Sequence, residues 1–232
     1  MNESQKLQQW LLYTPLGRYV LWNERKFYSN VVQNLYGNYS LQIGLEQINL
    51  LQGNKIANHI NIEQDIKTSL QFLPFMDNSI NLIVCPHVLE FHSNYEHIID
   101  EFYRVMSSNA TLIITSFNDK YCFKPFAQKD IFKEIHSMIN LNKLKTLLKN
   151  KGFYIKGGKF FSYCPPINKS KNFRNLKWLD KVGDRWFPTM AMNFGLIITK
   201  DKLAIKPNSQ YQDLTDVILD TNLGTAKICK TK

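Results

Sequence analysis

Three histidines and a glutamate, His87, Glu90, His92 and His97, fall close together in the middle of the chain and are its densest group of chemistry-bearing side chains. The five-residue spacing of the histidines does not bring them onto one helical face, and no zincin or Cys/His pattern occurs, so no metal site is expected. Cys85, Cys122, Cys164 and Cys229 are widely spaced and form no CxxC pair, which argues against a zinc ribbon or a disulfide framework. There is no P-loop sequence either, and phosphoryl transfer has no support. What remains is acid–base chemistry. His87 is the best-placed candidate catalytic residue, as a general base, because imidazole titrates near 6.5 and the residue follows a strand end; a hydrogen-bonded turn histidine is the structural alternative.

That strand is Ile80 to Val84, a short β-branched run bounded by Asp77-Asn78-Ser79 and Pro86, the pattern of a parallel strand buried on both faces. In open α/β sheets, ligands bind outside the strand C-termini, so the functional candidates lie beyond Val84. A helix whose Ile98, Phe102 and Val105 share a face follows; Ser93 and Glu96 are expected to form its capping box, and Ser107-Ser108-Asn109 its end. Thr111 to Thr115 is the next buried strand. Ile80–Val84 and Thr111–Thr115 are therefore expected to be adjacent, parallel and central in one sheet.

The block Leu73-Pro74-Phe75, Asp77-Asn78-Ser79, Ile80 to Val84 and Leu89-Glu90, with Arg104-Val105 closing the helix, resembles class I S-adenosylmethionine-dependent methyltransferases of the type 11 group. The resemblance covers roughly residues 40–163. It implies an α/β, Rossmann-like class I methyltransferase fold: a central, mostly parallel sheet with helices on both faces and an antiparallel C-terminal strand. It also implies S-adenosyl-L-methionine as cofactor and methyl transfer to an unidentified acceptor. The family's glycine-rich loop is degenerate: Leu41-Gln42-Ile43-Gly44-Leu45-Glu46-Gln47 keeps only Gly44, and Gln42 stands near the usual acidic position. The cofactor-binding candidates are Gly44, Leu45, Ser69, Leu70, Pro86 and His87, each at or just beyond the end of a strand expected to be parallel, with Glu63 or Asp65 for the ribose hydroxyls as the resemblance implies, and Ser69 where the family often has an aspartate for adenine. Gly44→Val is expected to impair binding more than stability, since a strand end suits valine. Methyl transfer from a sulfonium relies mainly on orientation, so the absence of a catalytic triad does not count against the activity. The alternative is a catalytically inactive, methyltransferase-like binding or scaffold protein, with RNA association as a further option.

The remaining segments fit this frame. Residues 5–36 read as two helices broken at Thr14-Pro15-Leu16-Gly17, and in the resembled family such helices fold over the cofactor, which makes Arg18 and Tyr19 candidates to face it. Strands are expected at Tyr39–Gly44, Lys55–Ile62 and Ile66–Leu70, and again at Tyr154–Tyr163, interrupted at Gly157-Gly158, and Asn193–Lys200. A helix capped by Asn140 ends at Gly152, and Leu176 to Val182 suggests another. The expected organisation is an N-terminal helical segment 1–38, a methyltransferase domain 39–205 with basic insertions at 118–140 and 164–190, and a polar tail 206–232.

Charge is uneven: seven basic against ten acidic residues in 1–117, nineteen against six in 118–206, and a balanced tail. The basic half points to an anionic partner, whether a charged small-molecule substrate, a phospholipid surface or nucleic acid; simple surface solvation is the plainer reading, and nucleic acid is not favoured. Both insertions are expected to form a lid over the strand C-termini that brings lysines to one opening. No segment is apolar enough to span a bilayer and the N-terminus lacks a secretory pattern, so a cytoplasmic location is expected.

Overall fold

The structure is a computed structural model, and it describes residues 3–62, 64–66, 68–123, 138–165 and 170–200, with only the backbone for 170–177. The expectations for 124–137, 166–169 and the tail, for the side chains of 170–177, and for Glu63, lie outside the described residues.

The chain opens with two helices, α1 (Glu3–Tyr13) and α2 (Pro15–Val32). The expected break between them is made by Thr14, whose hydroxyl donates to Trp10 O at 2.8 Å and accepts from Gly17 N at 3.0 Å, with Pro15 in the first helical position. A Cβ on Gly17 would lie 2.1 Å from Trp10 O, so the glycine is what lets the two helices approach.

Six strands form one sheet in the order β2-β1-β3-β4-β6-β5. They are β1 (Tyr39–Ile43), β2 (Asn58–Ile62), β3 (Ile80–Pro86), β4 (Met106–Phe117), β5 (Phe153–Phe161) and β6 (Asn193–Lys200). β3 and β4 occupy the two central positions and run parallel, with Leu82 beside Thr111 and Pro86 beside Thr115. β6 lies antiparallel between β4 and β5, and the irregularity expected near Gly157 in β5 is a register shift between Ile155 and Gly157.

Alternation along β3 explains the two layers of core. Ile83 and Cys85 join Ile98, Phe102, Leu144 and Leu148 from α3 (Tyr95–Val105) and α4 (Leu141–Asn150) on one face. Leu82 and Val84 face Val20, Phe27 and Tyr28 of α2 on the other. A further helix among the described residues, α5 (Ser170–Trp186), precedes β6.

Three local expectations are corrected. The strand expected at Ile66–Leu70 is not seen among its described residues, of which Ile66 makes an isolated bridge to Ile62. Asp65 pairs with Asn61 through both backbone and carboxylate, Thr68 and Ser69 bond Phe72 O and Gln71 N, and Phe72 N donates to Ser69 O, so the flanking chain is held in local turns on both sides. The capping box is absent, because α3 starts one residue late at an N-cap Asn94 that makes no side-chain bond. Ser107-Ser108-Asn109 does not end the helix; the chain is already extended from Met106, and these residues form the start of β4.

The recognisable Leu-Pro-Phe block is held by α3. Arg104 donates to Leu73 O, Phe75 O and the Asp77 carboxylate, and pairs with Glu101, which in turn accepts from Leu73 N. Hydrogen bonding to Arg104 holds the Glu101 carboxyl below its ordinary range.

Candidate active site

The C-terminal ends of β1, β3 and β4 lie side by side, and β6 begins next to the end of β4, with Asn193 beside Phe117. Along this edge the backbone turns into positive φ past three strands: at Gly44 (φ +85°) and Leu45 (φ 53°) after β1, at His87 (φ 52°) after β3, and at Ser162 (φ 68°) after β5, whose last residue lies beside Asn193. The bends after β1 and β3 touch: a Cβ on Gly44 would lie 2.8 Å from Val88 Cγ2 and 3.2 Å from Pro86 O.

Beyond β3 the turn into a short 3-10 helix (Leu89–Phe91) directs His87 and Glu90 into the protein. His87 Nδ1 lies 2.8 Å from Glu90 Oε1, and Nε2 lies 2.6 Å from Glu24 Oε1, which comes from α2. All three side chains are shut off from solvent. Burial alone would lower the imidazole pKa, but the charges of Glu24 and Glu90 outweigh it and raise the pKa to about 10. His87 is thus an imidazolium donating from both nitrogens, with no lone pair left to act as a base.

The cluster is tied to the sheet from every side. Glu90 Oε1 also accepts from Phe117 N at 2.7 Å, Glu24 Oε1 accepts from Asn193 Nδ2 at 2.8 Å, and His87 N donates to Thr115 O at 2.9 Å. Tyr28 OH sits 3.0 Å from Thr115 Oγ1. Several buried polar atoms here nevertheless have no protein partner: Glu24 Oε2, Glu90 Oε2, Ser116 Oγ and Asn193 Oδ1. Buried acceptors left unpaired are costly, and they mark a place where a further donor would be welcome.

The β1 loop is organised by Gln42. Its Nε2 donates to Gly44 O, Leu45 O and Ile48 O, and its Oε1 accepts from Leu50 N at 2.9 Å. A neutral amide both donates and accepts, so it can gather these four backbone groups, whereas a carboxylate would repel the three carbonyls. Beside it, at the end of β2, Asn61 carries another buried oxygen without a partner, Oδ1.

Among the sequence candidates, Gly44, Pro86 and His87 therefore lie together at the strand ends. Leu45 is also there, but its side chain is in the core, as is that of Leu70. Ser69 is exposed and its hydroxyl accepts from Gln71 N, in a local turn rather than at the end of a described strand. Two residues that sequence reasoning did not assign complete the cluster, Glu24 and Asn193. Glu24 had a signal: it falls four residues after Val20 and three before Phe27, so a carboxylate stands on the apolar face of α2. Asn193, at the start of β6, had none.

Described parts of the two basic insertions meet near this edge. Asn118 donates to Thr189 O and Ala191 O, Tyr121 OH donates to Cys164 O, and Tyr19 OH donates to Asp180. Burial pushes the Tyr19 hydroxyl pKa far up, with Asp180 adding to it. Arg18 is turned to Leu12 O. Among the described residues no helix is long and apolar enough to cross a membrane, and no group of three or more metal-binding side chains is found.

Residues 30–114 match the family described as a methyltransferase domain. An uncharacterized protein from Methanocaldococcus jannaschii is 29% identical over 139 residues, and the match spans 58% of each chain. Similar solved structures include an S-adenosylmethionine-dependent methyltransferase from Archaeoglobus fulgidus, with TM-score 0.58 and 16% identity over 79% of this chain and 94% of that one. Another from Thermotoga maritima has TM-score 0.61 and 15% identity over 83% and 93%.

Proposed function

We propose that this chain, which has the class I S-adenosylmethionine-dependent methyltransferase fold, binds S-adenosyl-L-methionine at the C-terminal edge of its sheet and catalyses methyl transfer. The observation that carries the reading is the set of buried, unpartnered polar atoms along that edge, from Asn61 Oδ1 to Glu24 Oε2 and Glu90 Oε2, in a fold whose ligands bind there. These atoms fit a polar cofactor and acceptor.

The backbone at Gly44 and Leu45, together with Asn61, would hold the cofactor, and Glu63, Leu70, Pro86 and Ser69 are further candidates for it. When bound, the cofactor supplies an electrophilic methyl group on a sulfonium. The chain's own contribution is to orient and to exclude water, which is where most of the rate of such a displacement arises, about 7 to 11 kcal/mol. His87 acts in this reading as a positioning residue: as an imidazolium it fixes both carboxylates, in place of the general base anticipated from the sequence. Each carboxylate keeps one oxygen without a protein partner, which an N–H or O–H of the acceptor would reach only by opening the buried cluster. An acceptor that donates hydrogen bonds suits this cluster better than an anion, which the two glutamates would repel.

The test is incubation of the purified chain with methyl-labelled S-adenosylmethionine and panels of amines, alcohols and carboxylates. Label transfer to an amine or alcohol, reduced by Glu90→Gln, supports the reading. Transfer only to carboxylates, or undiminished transfer by Glu90→Gln, overturns the acceptor assignment, and a chain that binds cofactor but labels nothing favours a binding protein.

A further inference from the structure

Exposed aromatic residues gather on one element that the transferase reading does not use. Along α5, Trp178 and Trp186 are 57% and 68% exposed, with Val182 between them also exposed, and Phe187 and Met190 continue the patch past the helix end. The spacing i, i+4, i+8 places Trp178, Val182 and Trp186 in one stripe. The opposite side of the helix faces the protein: Asp180 accepts from Tyr19 OH and Tyr163 N, and a Cβ on Gly183 would lie 2.3 Å from the Tyr163 ring. The stripe is therefore outward by construction.

Beside it runs a basic stripe at the same spacing, sequence positions Lys177, Lys181 and Arg185, of which the last two are exposed. Lys171 and Arg174 add further positive charge to the helix, while one of its two acids, Asp180, is taken up by the inward contacts. Apolar and basic residues are thus segregated into adjacent stripes on a helix lying on the protein surface. This is the arrangement of an interfacial helix, in which tryptophan and aliphatic side chains enter the headgroup boundary while the cations meet anionic headgroups.

We propose that α5 and the Phe187–Met190 turn dock this protein reversibly on an anionic phospholipid surface. Charge complementarity selects this occupant. A second copy of the chain would bring Lys181 and Arg185 against themselves, and single-stranded nucleic acid would find stacking platforms in the tryptophans but none in Val182 or Met190. The proposal is independent of the transferase activity.

Flotation of the full chain with vesicles of phosphatidylcholine alone, and of phosphatidylcholine with phosphatidylglycerol, tests it. Binding is expected to the anionic vesicles only, to weaken with salt, and to shift tryptophan fluorescence to the blue. The double substitution Trp178→Ser/Trp186→Ser is expected to weaken partitioning about tenfold or more. Lys181→Glu/Arg185→Glu is expected to weaken it about fivefold or more per charge. Both variants change exposed side chains, and thermal melts unchanged from wild type will show that they remain folded. No flotation with anionic vesicles at low salt overturns the proposal, as does equal flotation by the tryptophan variant. Retention on single-stranded oligonucleotide that the same substitutions abolish, without vesicle binding, overturns it in favour of nucleic acid.

Discussion

At the scale of single residues, the buried Glu24–His87–Glu90 cluster makes a pH-dependent claim. The His87 pKa is raised from its ordinary 6.5 to about 10 in the folded chain. Below 6.5 both folded and unfolded chains hold the proton, and the cluster contributes its full stability. Between 6.5 and 10 only the folded chain holds it, so stability falls with rising pH, by at most about 1.4 kcal/mol per unit. Melting temperatures of wild type are expected to drop across that interval, and those of His87→Gln to drop less; parallel curves would contradict the charge assignment. Removing a partner should be costly in itself. Glu24→Ala is expected to destabilise by about 3 kcal/mol in denaturant titration, because it leaves a buried charge and the Asn193 amide without their acceptor. Gly44 requires a revised expectation. Its φ of +85° and its contact with Val88 mean that Gly44→Val should cost about 2 kcal/mol or more of stability, so it is no clean probe of binding.

Elements differ in how legible they are, and the difference is physical. α4 was readable at both ends because its signals are local: Asn140 accepts from Lys143 N as N-cap, and Gly152 takes φ +87° just past the last turn. Asn140→Ala is accordingly expected to cost about 1 kcal/mol in thermal or chemical unfolding. β3, β4 and β6 were readable because both their faces are covered, which gives near-continuous apolar runs. The segment Ile66–Leu70 misled because its flanking apolar residues imitate a strand while Asp65, Thr68 and Ser69 bond the backbone locally. At the site, His87 and Gly44 were found from their positions at strand ends. Glu24 was not: its place on the apolar face of α2 marks a buried carboxylate, but its partner lies 63 residues away and no local pattern records that pairing. The degenerate glycine loop also reads differently once Gln42 is seen bonding four backbone groups within it: the amide at the usual acidic position serves the loop itself.

For the whole molecule, the sheet order, the antiparallel β6 and the helix layers on both faces give the class I methyltransferase fold, and the α1–α2 hairpin supplies one wall of the candidate site through Glu24 and Tyr28. The proposed binding of S-adenosylmethionine against that wall is expected to stabilise the folded chain by RT ln(1 + L/Kd), where L is the free cofactor concentration, a gain that rises with the logarithm of that concentration. The central claim is that the polar edge between β1, β2 and β3 holds S-adenosylmethionine. Calorimetric titration of S-adenosyl-L-methionine into the folded, full-length chain tests it most directly. The account predicts saturable binding, a raised melting temperature at saturation, and weaker binding by Asn61→Ala with its own fold intact. A folded chain that gives no binding heat and no shift in melting temperature would contradict it.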